Sequence, residues 1–297
     1  MFGNPISTRQ PRQSRTRKMM PLEIIQSPSP NFDERKRPIR FVVLHYTGMQ
    51  SADAALRVLS DPAPMRTAYL NDIPTNPILP DGTPAPKTLV PSPMSRVSSH
   101  YLVYEDGRIF QLVDESKRAW HAGRGFWDGE TDMNSASIGI EIANGGDDFG
   151  LPEFPEVQIE RVMALVADIV RRHGLDRQHV IGHSDLAPMR KSDPGEKFPW
   201  QRFAEAGLSI WPEPALEDGD QRNLFDVEGM MDRGIAAVQT GLGTIGYGVT
   251  VNGILDTETR ATLRAFQRRF RPSKVDGFID VETVSLVGRV AAILRPA

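Results

Sequence analysis

The first strong pattern in the chain is the apolar run Phe41, Val42, Val43 and Leu44, followed at once by His45, Thr47 and Gly48. A run apolar on both faces predicts a central sheet strand, here with a histidine at its mouth. In HYLVYEDGRIFQLVD two alternating runs flank Asp106-Gly107, the dipeptide of a tight hairpin. SIGIEIAN alternates cleanly, so Ile138, Ile140 and Ile142 face one side of a strand while Gly139 and Glu141 face the other. Ile159, Val162, Met163, Val166, Ile169 and Val170 then recur at helical spacing between Pro155, suited to a first turn, and Gly174, suited to a stop. His173 in the last turn suits the helix dipole and reads as structural. HVIGH predicts a short strand that delivers His183.

Three stretches lack such patterns and divide the chain. Residues 1–37 are polar and rich in Ser, Pro and Arg, which predicts a disordered tail. Residues 61–93 carry so many prolines that neither helix nor central strand is expected to persist through them, and the stretch reads as a surface insertion. Residues 213–222 are acidic, include Pro214 and follow Trp211-Pro212, as a linker would. The expected division is therefore a tail at 1–37, a main domain at 38–212, the linker, and a small helical domain at 223–297. Within the last, GILDTET at 253–259 echoes GFIDVET at 277–283. In each copy an aspartate, Asp256 or Asp280, is placed to cap a helix. The helix faces carry Leu263, Phe266 and Phe270, or Leu286, Val287, Val290 and Leu294.

Composition narrows the chemistry. A net charge of -3 gives no electrostatic case for nucleic acid or an anionic membrane surface. With no cysteine, disulfides and thiolate metal sites are excluded, so any metal is held by histidine and carboxylate. No apolar leader follows the basic start and no run is long enough for a membrane span, so a soluble, cytoplasmic protein is the expectation. Met19 and Met20 leave a later natural start open without creating a leader.

The chemistry concentrates in GHSDLAPMRKSDPG at 182–195. A catalytic zinc takes three protein ligands and keeps a fourth position open. His45, His183 and Asp193 can supply such a set. Taken singly, each histidine is better explained by a structural hydrogen bond, and Asp193-Pro194-Gly195 by an ordinary turn.

IRFVVLHYTG, SSHYLVYEDGRIFQLVDE, AWHAG, NSASIGIEIAN and GHSDLAPMRKSDPGEKFPW, in this order, resemble the zinc-dependent N-acetylmuramoyl-L-alanine amidases of the AmpD and AmiD type, which share a fold with peptidoglycan recognition proteins. The echo with its intervening AFQRRF is similar to a small three-helix peptidoglycan-binding domain. The resemblance implies an α/β (α+β) fold, a mixed central sheet flanked by helices, followed by that helical domain. It implies zinc held by His45, His183 and Asp193, with Glu141 as general base and Lys191 as the cation near the scissile carbonyl. Trp120 and His121 of AWHAG are then expected along the substrate cleft, Asp185 either orients a ligand or caps a turn, and His100 and His179 are structural. Substrates would be peptidoglycan fragments, including anhydro-muropeptides. The alternatives are an amidase or endolysin acting on intact wall, and a noncatalytic recognition module.

Overall fold

The computed structural model describes residues 22–69, 89–93 and 95–294. Its elements run β1 (Ile24–Gln26), β2 (Phe32–Glu34), β3 (Phe41–Tyr46), α1 (Ala52–Ser60), β4 (Met65–Tyr69), β5 (Leu89–Pro93), β6 (Tyr101–Val103), β7 (Ile109–Gln111), β8 (Lys117–Ala119), α2 (Met133–Ala136), β9 (Ser137–Ile142), α3 (Glu156–His173), β10 (Val180–Gly182), α4 (His183–Leu186) and α5 (Trp200–Glu205). The C-terminal part adds β11 (Asn223–Phe225), α6 (Arg233–Ile245), α7 (Thr257–Phe270), β12 (Ile279–Asp280) and α8 (Val281–Leu294).

The main sheet has six strands in the order β1-β7-β6-β9-β3-β10. All its pairings are parallel except the β6–β7 hairpin, whose turn places Gly107 at φ +87°. The sheet is therefore mixed, and β3 lies inside it with both faces buried, as its unbroken apolar run predicts. Val42, Leu44, Ile138, Ile140, Ile142 and Val180 face α3, which packs Ile159, Val162, Leu165, Val166 and Ile169 against them. This helix ends where Gly174 adopts φ +61° and its N–H bonds back to Val170.

On the opposite face of the sheet, Phe41, Val43 and Ile181 share a core with Ile235, Val238 and Leu242 of α6, Leu263, Phe266 and Phe270 of α7, and Leu286, Val287 and Val290 of α8. The C-terminal helices are thus one layer of the sandwich, packed on the sheet through this shared core. Nearer β7, the same role falls to α1, through Ala52, Ala55 and Leu59 against Leu102 and Phe110. Among the described residues no helix is long and apolar enough to cross a membrane.

One expectation is corrected. Residues 22–37 are ordered, not part of a disordered tail. β1 extends the main sheet along β7, β2 pairs with β8, and Arg35 donates to the carbonyls of Glu115, Ser137 and Lys117. Backbone pairing and one half-buried guanidinium hold the segment where apolar content is too low to do so. Residues 1–21 lie outside the described residues. In the proline-rich insertion, β4 and β5 form an antiparallel ladder of their own in which Pro91 sits opposite Thr67, a two-stranded setting that tolerates proline. Residues 70–88 lie outside the described residues.

Candidate metal centre

Parallel pairing sets the site. In the β3–β9 register His45 lies beside Glu141, and Gly182 lies beside Leu44 in the β3–β10 register. His183 follows at the level of His45, so Glu141, His45 and His183 form a row across the carboxyl ends of three strands, where open α/β sheets commonly bind ligands. The fourth member, Asp193, returns to the row because Ser184 N–H donates to its carbonyl at 2.8 Å.

His45 Nδ1, His183 Nδ1 and Asp193 Oδ2 converge: the two nitrogens are 2.9 Å apart and each is 3.0 Å from the oxygen. All three residues are buried. The other ring nitrogens fix which atoms carry protons. His183 Nε2–H donates to the carbonyl of Ala122 at 2.9 Å. His45 Nε2–H donates to His121 Nδ1 at 3.0 Å, and His121 Nε2–H in turn reaches Ser137 Oγ at 3.3 Å, whose own hydrogen goes to the Met133 carbonyl. Both Nδ1 atoms are left as lone pairs aimed with a carboxylate oxygen at one point. Three acceptors so close repel one another unless a cation lies between them. Zinc bonds of about 2.0 Å in tetrahedral array place donor atoms about 3.3 Å apart, so the set fits that ion with a shift of a few tenths of an ångström.

The electrostatics agree. Burial, reinforced by His183, pushes His45 down to about 4, the neutral form a metal ligand needs. Burial opposes ionisation of Asp193, but the pull of His183 and His45 when these imidazoles carry protons outweighs it and holds the carboxyl well below the usual range. Burial, with Asp193 adding to it and Lys191 opposing it, pushes Glu141 well above the usual range. Its Oε2 is buried with no hydrogen-bond partner among the described residues. Lys191 is exposed and makes no ion pair among the described residues, yet its charge reaches both His45 and Glu141.

His121 and Trp120, adjacent in sequence, have separate roles. His121 is buried behind His45 and sets its tautomer. Trp120 donates its indole N–H to Asp33 at 2.8 Å and lies under Arg96, and none of these contacts is with the converging trio. His100 is held between the Gly139 N–H and the Lys117 carbonyl, His179 packs edge-on against Phe41, and His173 pairs with Glu115.

The pattern of the sequence does not single out three supports of the site. Asn134 Oδ1 accepts from the N–H groups of His121 and Ala122, fixing the segment that carries one imidazole and the carbonyl under another. Gly139 leaves the space that the His121 ring fills. Tyr46 bonds to Ser192 Oγ at 2.7 Å, and Ser192 donates to Asp147 at 2.6 Å, which tethers the segment between Lys191 and Asp193. Only Gly139 carries a local signal, since an unneeded glycine inside a strand marks a close approach.

Residues 35–196 match the N-acetylmuramoyl-L-alanine amidase family, and residues 232–286 match a putative peptidoglycan binding domain. The N-acetylmuramoyl-L-alanine amidase AmiD of Escherichia coli K12 is 37% identical over 207 residues, which are 64% of this chain and 72% of AmiD. The solved complex of E. coli AmiD with the substrate anhydro-N-acetylmuramic acid-L-Ala-D-γ-Glu-L-Lys aligns with a TM-score of 0.66 at 29% identity, covering 89% of this chain and 98% of that one. AmpDh3 from Pseudomonas aeruginosa in complex with anhydromuramic pentapeptide aligns with a TM-score of 0.64 at 31% identity, covering 89% and 93%. With the family match spanning more than half the chain, this protein is a metal-dependent hydrolase belonging to the N-acetylmuramoyl-L-alanine amidases.

Proposed function

We propose that the chain is a zinc enzyme that cuts the amide between the lactyl group of N-acetylmuramic acid and L-alanine in muropeptide fragments, 1,6-anhydro forms included. The observation that carries this reading is the convergence of two imidazole lone pairs and one carboxylate oxygen within 3.0 Å of one another, with the outer nitrogens already committed. His45, His183 and Asp193 would hold the ion. Zinc bound there supplies Lewis acidity toward the amide carbonyl.

The remaining work falls to this chain's own groups. Glu141 stands beside His45 in the register with a free, buried carboxyl oxygen of high proton affinity. Such a group accepts a proton from the attacking water and returns it to the departing nitrogen of L-alanine. Lys191, exposed and in no ion pair among the described residues, would stabilise the charge that develops on the carbonyl oxygen. His121 and Asn134 touch neither water nor substrate in this scheme; they hold His45 and the Ala122 carbonyl in place.

The anhydro-muropeptide preference is supported by the ligands in the AmiD and AmpDh3 complexes. A second reading, attack on intact wall, is favoured by the match of residues 232–286 to a peptidoglycan binding domain. Metal-loaded protein incubated separately with a soluble anhydro-muropeptide and with intact sacculi, with freed peptide followed by mass spectrometry, separates the two. Release from the fragment alone supports the fragment enzyme, release from sacculi supports the second reading, and release from neither overturns both. Glu141→Ala is expected to abolish release while zinc stays bound; undiminished turnover in that variant removes Glu141 as the base.

A further inference from the structure

Asp185 lies two residues beyond His183 and is almost fully buried, at 1% exposure. Its Oδ2 accepts the N–H of Gly182 at 2.8 Å, the residue immediately before His183. The same oxygen accepts from Arg269 Nη1 at 2.8 Å, and Oδ1 accepts from Tyr247 Oη at 2.6 Å. Both partners belong to the C-terminal layer: Arg269 is on α7 and Tyr247 follows α6. Arg269 also donates to the carbonyl of Val180 at 2.9 Å, so one guanidinium grips the strand that leads to His183 and the carboxylate just beyond it. Its Cζ lies 4.6 Å from the centroid of the Trp200 ring. Tyr247 is pinned in turn by an edge-on contact with Trp127 at 4.8 Å.

We propose that the C-terminal helices are a working part of the metal site, with Arg269 and Tyr247 as positioning residues that place His183 through Asp185. This rests on the reading that His45, His183 and Asp193 hold zinc. The physical reason is tolerance: metal–ligand distances must hold within about 0.2 Å, and groups that orient a ligand commonly change affinity by about 10- to 100-fold when lost. His183 is braced on both flanks, by Asp185 through Gly182 and by the Asp193 carbonyl through Ser184. Releasing the first brace leaves the imidazole held by the second and by its own bond to the Ala122 carbonyl.

A buried ion pair that loses one partner commonly destabilises the whole fold, so milder changes are the better probes. Tyr247→Phe removes one hydrogen bond and keeps the ring. Arg269→Lys keeps the charge and loses the planar fork that serves two acceptors. Gln239→Ala, in the same module but without contact to Asp185, is the control. Full-length proteins are titrated with zinc against a chelator of known affinity, loaded with cobalt(II) for their visible spectra, and melted in parallel. Arg269→Lys is expected to weaken zinc by about tenfold or more, Tyr247→Phe by a smaller factor in the same direction, both with altered cobalt bands, while Gln239→Ala lowers Tm alone. Wild-type zinc affinity and cobalt spectra in both probes, whatever their Tm, overturn the inference. A wild type that takes up no stoichiometric zinc overturns the zinc reading and this inference with it.

Discussion

The ring of His121 occupies the space that a side chain at position 139 would need: a Cβ added to Gly139 would lie 2.4 Å from His121 Cγ and 2.5 Å from Nδ1. That Nδ1 is the atom that receives the His45 Nε2–H. The glycine in SIGIE therefore acts on the metal centre without touching it. Gly139→Ala is expected to displace His121, to weaken zinc by about tenfold or more through His45, and to cost about 1–3 kcal/mol from overpacking. Chelator competition and urea unfolding measure the two effects. Unchanged zinc affinity in a folded Gly139→Ala protein would show that His121 does not set His45.

Asn134 offers a test that separates acceptor chemistry from shape. Its Oδ1 accepts from His121 N–H at 3.0 Å and Ala122 N–H at 2.7 Å, and the Ala122 carbonyl receives His183 Nε2–H. Asn134→Ala leaves two buried donors without a partner and is expected to cost about 2–4 kcal/mol and to lower kcat with little change in KM. Asn134→Asp keeps an oxygen in the same place and is expected to recover most of the activity. Equal loss in both variants counts against the hydrogen bonds as the cause.

What the sequence makes legible here follows from distance along the chain. β3, the β6–β7 hairpin, β9 and α3 are written in local periodicity, and His45, Glu141 and His183 sit at strand ends that this periodicity defines. Asp193 comes with them because it is only ten residues beyond His183. The supports are different. Arg35 with the Lys117 carbonyl, Asn134 with His121, and Asp185 with Arg269 join positions that no shared pattern links. Polar residues in such roles look like ordinary surface residues until the fold brings their partners. The same gap explains why residues 22–37 read as a tail: backbone pairing with β7 and β8 orders them, and it leaves no periodic trace.

Stability is expected to fall early on acidification. His100 is buried with its two nitrogens committed to the Gly139 N–H and the Lys117 carbonyl, and burial, with Arg35 beside it, lowers it to about 3. Its pKa in the folded chain is below the unfolded value of about 6.5, so the unfolded chain binds the proton more readily. Stability is then complete above about pH 6.5 and is lost as pH falls toward 3, by as much as about 4 kcal/mol. Glu115 follows at lower pH. Burial opposes its ionisation, but Arg172, His173 and Tyr101 outweigh that and hold it at about 2. Its contribution is present above the usual carboxyl pKa of about 4.3 and fades below it. Urea unfolding of chelator-treated protein between pH 7.5 and 4.5 measures the slope, and His100→Asn is expected to flatten it while lowering stability throughout. A slope unchanged by that substitution excludes His100 as a source.

The sequence echo corresponds to a repeated hydrogen-bond device built on two buried glutamines. Gln239 Oε1 accepts from Asn252 and Gly253 N–H, while its Nε2 donates to Asn252 Oδ1, the Ile254 carbonyl and Thr259 Oγ1. Gln267 does the same one unit later: Oε1 accepts from Asp276 and Gly277 N–H, and Nε2 donates to Asp276 Oδ1 and the Phe278 carbonyl. Each amide stands in for a missing strand partner of the turn that precedes a capped helix, with Asp256 or Asp280 accepting from Thr259 or Thr283 N–H. Gln239→Ala or Gln267→Ala strands several buried backbone groups at once, so each is expected to cost about 2–4 kcal/mol. Gln→Glu at either site keeps the acceptor but places an anion against carbonyl oxygens, and is expected to be no better than alanine at pH 7. Gln267 lies on α7 itself, two residues before Arg269, so its loss is expected also to loosen that helix and to weaken zinc. Gln239→Ala is expected to leave zinc affinity alone. Urea unfolding and chelator competition on both variants decide this. A cost below about 1 kcal/mol at both sites would show that water replaces the amide and that the echo is not held together by these bonds.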